Sequence, residues 1–241
     1  MVKEVRQKLT RLGIEAVLFD LDDTLIYTGE IFSEQMQEYV SMVAEKINVE
    51  EKDLMAALRV INDEGYKRIG VNPKRWEAVV ENLAMQFDRG ETEIRENINV
   101  LLKIYSREPR IREGVRGLLN VFQESGVKMA LVTHANVEWT HFKLNRLGLW
   151  DYFDSVVIVD ENGHKKSDDW KKGMDSLKVD AEKCLVVGDS LEGDIRPEDE
   201  LGARTVWLPN PWVVTSQGKV PEKTVAINEI FDLLAALDRL R

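Results

Sequence analysis

Cysteine is almost missing from this chain. Cys184 is the single one in 241 residues, so neither a disulfide framework nor a cysteine-ligated metal can be built. Inside the apolar run Cys184-Leu185-Val186-Val187 it reads as buried packing, and a reducing, cytoplasmic compartment is expected. Long apolar runs are missing too. The N-terminus is charged from Lys3 onward, so neither a signal peptide nor a membrane span is expected. Positive charge is in deficit: 33 Lys and Arg against 43 Asp and Glu give a formal net charge of −10. Such a surface suits neither a nucleic-acid backbone nor an anionic membrane. It leaves room for a small phosphorylated molecule, because a cleft can be locally positive. The six tryptophans read first as packing. Trp212, in Pro209-Asn210-Pro211-Trp212, could also line a site entrance or a protein contact. There is no internal repeat and no low-complexity segment.

What is present centres on Phe19-Asp20-Leu21-Asp22-Asp23-Thr24-Leu25. The apolar run Val17-Leu18-Phe19 suits a buried strand. The acids Asp20, Asp22 and Asp23 then sit at its carboxyl end, where open α/β sheets place their chemistry. Crowded carboxylates repel, and a hard divalent cation is the usual remedy. The bland alternative is a helix N-cap after a loop.

Residues 14–19 are the first strand, and residues 1–13 a short helix or strap before it. Residues 29–106 carry helical periodicity throughout and no credible strand, which predicts a four-helix insert, with Pro73 opening its third helix. From Pro109 the pattern alternates. A helix over 115–124 precedes a strand over 127–133, and a helix over 137–147 precedes a strand over 155–159. A short helix around Trp170 to Leu177 leads to strands over 183–187 and 205–208. A closing amphipathic helix over 225–240 turns Ile227, Ile230, Phe231, Leu234, Leu237 and Leu240 inward. The alternation predicts an α/β fold: a three-layer, Rossmann-like parallel sheet core with an all-helical second unit. The core spans 1–28 and 107–241, and the insert spans 29–106.

Four apolar strands lead to polar residues. They end at Asp20-Leu21-Asp22, at Thr133, near the pair Lys165-Lys166, and at Gly188-Asp189-Ser190 with Asp194 following. Adjacent parallel strands bring such ends into one crevice. Carboxylates, a hydroxyl and an ammonium together fit phosphoryl transfer, where a charged transition state must be positioned and neutralised.

The run Asp20-Leu21-Asp22-Asp23-Thr24-Leu25 resembles the first motif of the haloacid dehalogenase-like hydrolase superfamily. Gly188-Asp189-Ser190-Leu191-Glu192-Gly193-Asp194 resembles its fourth. The resemblance covers about residues 14–208, and the insert at 29–106 matches the family's mobile cap. It implies that Asp20 attacks phosphorus and becomes an aspartyl-phosphate. Asp22 would serve as acid and then base, Thr24 would fix the loop, and Thr133 would donate to a phosphoryl oxygen. Mg2+ would be held by Asp20, the backbone carbonyl of Asp22 and Asp189, with Asp194 in or behind its shell. The implied partner is a small phosphorylated metabolite such as a sugar phosphate, phosphoglycolate or glyceraldehyde phosphate, handled by a monomer or homodimer.

The chain departs from the family pattern in two places. The second motif commonly reads Thr or Ser then Asn, whereas here it reads Thr133-His134-Ala135-Asn136, which makes His134 a candidate for substrate contact. The third commonly reads Lys-Pro-Asp-Pro, whereas here it reads Gly163-His164-Lys165-Lys166-Ser167-Asp168-Asp169. Counting from Gly163 favours Lys166 as the phosphate lysine, and counting back from the fourth motif favours Lys165. Lys166 is the first choice, with Ser167 capping the next helix. Asp23 pairs with a base or serves a helix end. Dehalogenase members carry no acid two residues after the nucleophile, so Asp22 favours a phosphatase. A phosphomutase, or a non-enzymatic phosphoacceptor, stays open. On the insert, Arg59, Tyr66, Lys67, Arg68 and Trp76 are candidates for substrate contact. Hinges are expected near 25–29 and 105–111.

Overall fold

The computed structural model describes residues 1–87, 90–210 and 218–240. After helix α1 (Val2–Leu12) comes strand β1 (Ala16–Phe19), with four consecutive buried apolar side chains. A strand with no polar face belongs in the middle of a covered parallel sheet. There it pairs in parallel with β4 (Lys128–His134) and with β6 (Cys184–Gly188). Strand β5 (Ser155–Val159) lies outside β4, and β7 (Arg204–Trp207) and β8 (Val225–Ala226) lie outside β6. The order is β5-β4-β1-β6-β7-β8 and every pairing is parallel. Phe19 is level with both Leu131 and Val187. Asp20, Thr133 and Asp189 therefore lie at the same end of the sheet.

Side-chain alternation along β1 divides the core. Val17 and Phe19 join Val5, Leu9, Leu118 and Phe122 from α1 and α7 (Val115–Ser125) on one face. Ala16 and Leu18 join Trp170, Met174 and Leu177 from α9 (Ser167–Leu177) on the other. This is the three-layer α/β arrangement expected from the alternation. Helix α8 (Val137–Leu147) connects β4 to β5, and α10 (Arg196–Leu201) precedes β7.

Between β1 and α7 the described residues form helices with their connecting turns and two short strands. Helices α2 (Gly29–Ile47), α3 (Glu51–Ile69), α4 (Arg75–Gln86), α5 (Glu91–Glu96) and α6 (Ile98–Leu102) share an apolar cluster of their own, around Tyr39, Leu54, Leu58, Trp76, Leu83 and Leu101. The expected fourth helix is broken at Asn97. Its side-chain amide bonds the Glu93 carbonyl, the local back-bonding with which Asn competes against a regular helix. The flanking strands β2 (Ile26–Tyr27) and β3 (Arg110–Ile111) pair antiparallel, so the two crossings into this unit form one ribbon.

The closing helix expected over 225–240 is largely replaced. Val225 and Ala226 add a sixth strand to the sheet, and the helix α11 (Leu233–Ala236) is a single turn. Phe231 is 51 % exposed rather than inward. Pairing with β7 overrides the helical spacing. The expectation for Trp212 falls outside the described residues.

Candidate active site

Asp20 follows β1 directly, its N–H still on the Val187 carbonyl at 2.9 Å. Its carboxylate is 5 % exposed. Lys165 donates to Asp20 Oδ1 at 2.6 Å and to the Val132 carbonyl at 3.2 Å. The same ammonium lies 2.6 Å from Asp194 Oδ1 and 4.8 Å from the Trp170 ring centre. Asp189 leaves β6 one residue past Gly188, and Asp194 lies in the helical turn Leu191–Ile195, with Oδ2 accepting from the Ser190 N–H at 2.9 Å. A Cβ on Gly188 would run into the Asp194 carboxylate, so the close approach requires glycine.

Oxygens of Asp20, Asp189 and Asp194 all lie within 4.8 Å of one another, and all three residues are buried. Lys165 thus serves two of the three carboxylates, Asp20 and Asp194. Burial raises Asp20, and Asp194 adds to the rise while Lys165 opposes it. Asp189 is raised well above the carboxylate range by burial, then by Asp20 and Asp194. Burial pulls Lys165 down, but Asp194 and Asp20 together hold it above its ordinary value. Asp20 Oδ2 is buried and has no hydrogen-bond partner among the described residues. An all-oxygen set with a spare carboxylate atom fits a hard divalent cation such as Mg2+.

The placement of Lys166 differs from the first choice made on sequence. It is exposed, its N–H bonds Asp169 Oδ2 at 3.1 Å, and it caps α9, with Ser167 the first helical residue. Successive residues of an extended segment point to opposite sides, so only Lys165 enters the crevice. Asp23 has φ 60° and accepts from the N–H groups of Thr28 and Gly29. It serves the start of α2. Asp22 is not part of the carboxylate cluster: Lys143 donates to its Oδ1 at 2.5 Å and to its Oδ2 at 2.8 Å.

Thr133 is fully buried, and neither its Oγ1 nor that of Thr24 has a partner among the described residues. His134, next along, also has an unpartnered buried Nε2. Burial first, then the positive neighbours Lys165 and His164, lower its pKa to about 4, which leaves a neutral ring at pH 7. The ring lies 5.9 Å from His164 and 6.5 Å from Tyr66 of α3. The helical unit is seated on this edge. Val71 and Asn72 donate to the Glu161 carbonyl at 3.0 and 3.1 Å, and His164 Nε2 is 3.0 Å from the Lys67 carbonyl. Of the five residues proposed on the insert, Tyr66 reaches the site. Arg59, Lys67 and Arg68 are exposed, and Trp76 is in the insert's core.

Two residues escaped the sequence reading. Lys143 carries a signal in hindsight, since it shares the inward face of α8 with Thr140, Leu144 and Leu147. Arg75 carries none. It is buried, bonds the Gly70 carbonyl at 2.7 Å and stacks over Tyr66 and Trp76.

The sequence profile of the haloacid dehalogenase-like hydrolases matches residues 14–197. The chain belongs to this family, and it is a hydrolase. It is 28 % identical over 201 residues to the glyceraldehyde 3-phosphate phosphatase of Pyrococcus abyssi, covering 81 % of each chain. To the enzyme of the same name from Methanocaldococcus jannaschii it is 30 % identical over 199 residues, covering 80 % of this chain and 84 % of the other. A haloacid dehalogenase-like family hydrolase from Xanthomonas campestris superposes with a TM-score of 0.74 at 17 % identity, over 94 % of this chain and 91 % of the other. At that identity the likeness speaks for the fold.

Proposed function

We propose that this hydrolase is a Mg2+-dependent phosphatase that cleaves a small phosphomonoester through an aspartyl-phosphate on Asp20. The observation that carries the reading is the state of Asp20: buried, one oxygen on Lys165 and the other without a partner, with an acid two residues away. One Asp20 carboxylate oxygen attacks phosphorus as the ester P–O bond breaks, which leaves the other for the metal ion. Asp22 protonates the departing alkoxide oxygen, then takes a proton from the water that attacks the acyl phosphate. Phosphate leaves and the Asp20 carboxylate is restored. Thr133 Oγ1 and the Lys165 ammonium donate to the phosphoryl oxygens. Asp20, the Asp22 backbone carbonyl and Asp189, with Asp194 beside them, would hold Mg2+, which supplies charge neutralisation at the phosphoryl group when bound.

The unit at 29–106 acts as a cap over a core of 1–28 and 107–241, excluding water and selecting the leaving group. Tyr66 and the neutral His134 face that leaving group. The relatives named above make glyceraldehyde 3-phosphate the first substrate to try. A cytoplasmic setting and no nucleic-acid partner belong to the same proposal, supported by the single cysteine and the formal net charge of −10. No helix among the described residues is long and apolar enough to cross a membrane.

Phosphate release from a panel of phosphorylated metabolites tests the reading, with Mg2+ and with EDTA, for the wild type and Asp20→Asn. Release that needs Mg2+ and falls at least ~1,000-fold in the variant is expected. Release that persists in Asp20→Asn would sink the proposal.

A further inference from the structure

Lys143 is an unusual occupant of its position. Its side chain has no solvent exposure, against 23 % for Asp22. It stands on the inward face of α8, where an aliphatic residue would pack without the cost of burying an ammonium. Two directions of the ammonium are taken by the Asp22 oxygens. It also lies 4.2 Å from the Trp139 ring centre, within cation–π range. Among the described residues no other group donates a hydrogen bond to the Asp22 carboxylate.

Trp139 faces the other way as well. Its Nε1 donates to the Arg107 carbonyl at 2.8 Å, beside the ribbon that leads out of the helical unit. Its ring lies 6.1 Å from Phe32 and 5.6 Å from Tyr105, and it is buried in that unit's apolar cluster. The start of α8 is held in turn by Asn136, whose Oδ1 accepts from the Trp139 N–H at 2.9 Å. A short chain of contacts therefore runs from Asp22 through Lys143 and Trp139 to Phe32 and Tyr105.

We infer that Lys143 is a positioning residue for the acid–base step, fixing the Asp22 carboxylate in an orientation tied to the seat of the helical unit through Trp139. The inference rests on the phosphatase reading above. Lys143 touches no reacting atom. It holds the group that gives a proton to the leaving oxygen and later takes one from water, and misplacing that group by about an ångström is costly.

The test compares an alkyl phosphomonoester with p-nitrophenyl phosphate, whose phenolate leaves without a proton, in wild type, Lys143→Met and Lys143→Arg with Mg2+. In Lys143→Met, turnover of the alkyl ester should fall ~100-fold with KM within about threefold. Its first turnover of the aryl ester, followed as a nitrophenol burst, should stay within about threefold of wild type, followed by a slow phase as water attack lags. Lys143→Arg should recover at least about tenfold on the alkyl ester, and its ratio of alkyl to aryl rates decides the matter if Lys143→Met does not fold. A melting temperature in Lys143→Met equal to wild type or higher would agree with the cost of the buried charge. Wild-type rates on both esters would overturn the inference. So would an equal loss of the first-turnover rate on both that arginine does not restore, because that pattern belongs to a structural lysine. Absence of Mg2+-dependent phosphate release from the wild type is a separate result. It removes the phosphatase reading and this inference with it.

Discussion

Lys165 and Lys166 are neighbours with opposite fates. The first is buried between Asp20 and Asp194, and the second is exposed at the start of α9. Lys165→Met should therefore lower kcat/KM by ~100-fold or more, while Lys166→Met stays within about twofold, both read by phosphate release. Comparable losses in the two variants would contradict the placement. Glu198 makes a prediction of another kind. It is fully buried, and neither carboxyl oxygen has a partner among the described residues. Burial, reinforced by Asp194 and opposed by Lys165, raises its pKa from 4.5 to about 8. The folded chain keeps a proton that the unfolded chain releases, so stability falls as pH rises from about 4.5 to about 8. Glu198→Gln should remove that loss. Its gain in denaturant-measured stability should be larger at pH 8 than at pH 5, by ~3 kcal/mol. An equal change at both pH values would show that Glu198 is not held protonated.

At the scale of elements, strand ends were the readable part. β1, β4 and β6 are runs of apolar residues that stop on Asp20, Thr133 and Asp189, and burial on both faces makes such runs conspicuous. Partners that arrive from elsewhere were not readable. Lys143 meets Asp22 from 121 residues away, and nothing in the spacing of either residue announces the other. Counting from Gly163 pointed to Lys166, one position past the lysine that lies in the carboxylate cluster, because it could not tell where the extended segment ends and α9 begins. The closing segment failed for a related reason: its helical spacing was real, but β7 offered an open edge. The contact between α3 and the loop after β5 is also tertiary. Gly70 there has φ 78°, and a Cβ would stand 2.5 Å from the Gly163 carbonyl oxygen and 2.7 Å from that of Glu161. Gly70→Ala should cost ~1–3 kcal/mol of stability. It should also raise KM by loosening the seat of the helical unit beside His134 and His164. Unchanged denaturation and kinetics would mean that this contact does not hold the unit.

The apolar cluster of the helical unit joins the two clusters on the faces of the sheet through the β2–β3 ribbon, Trp139 and the contact at Gly70. Asp20, Asp189 and Asp194 cluster at the strand ends, with Lys165 paired to Asp20 and Asp194. That clustering of carboxylate oxygens predicts that Mg2+ stabilises the fold. The melting temperature should rise with Mg2+ by a mass-action amount, and the rise should shrink in Asp189→Asn. A rise of the same size in the variant would move the ion elsewhere. The central claim is that Asp20 carries the phosphoryl group, and it is met most directly by catching the intermediate. Wild-type protein mixed with substrate and Mg2+, quenched in acid within the first turnover and mapped by peptide mass spectrometry, should gain one phosphoryl group on Asp20. Asp20→Asn should gain none. A phosphoryl group on another residue, or steady phosphate release with no phosphoryl-protein at any quench time, would contradict the account.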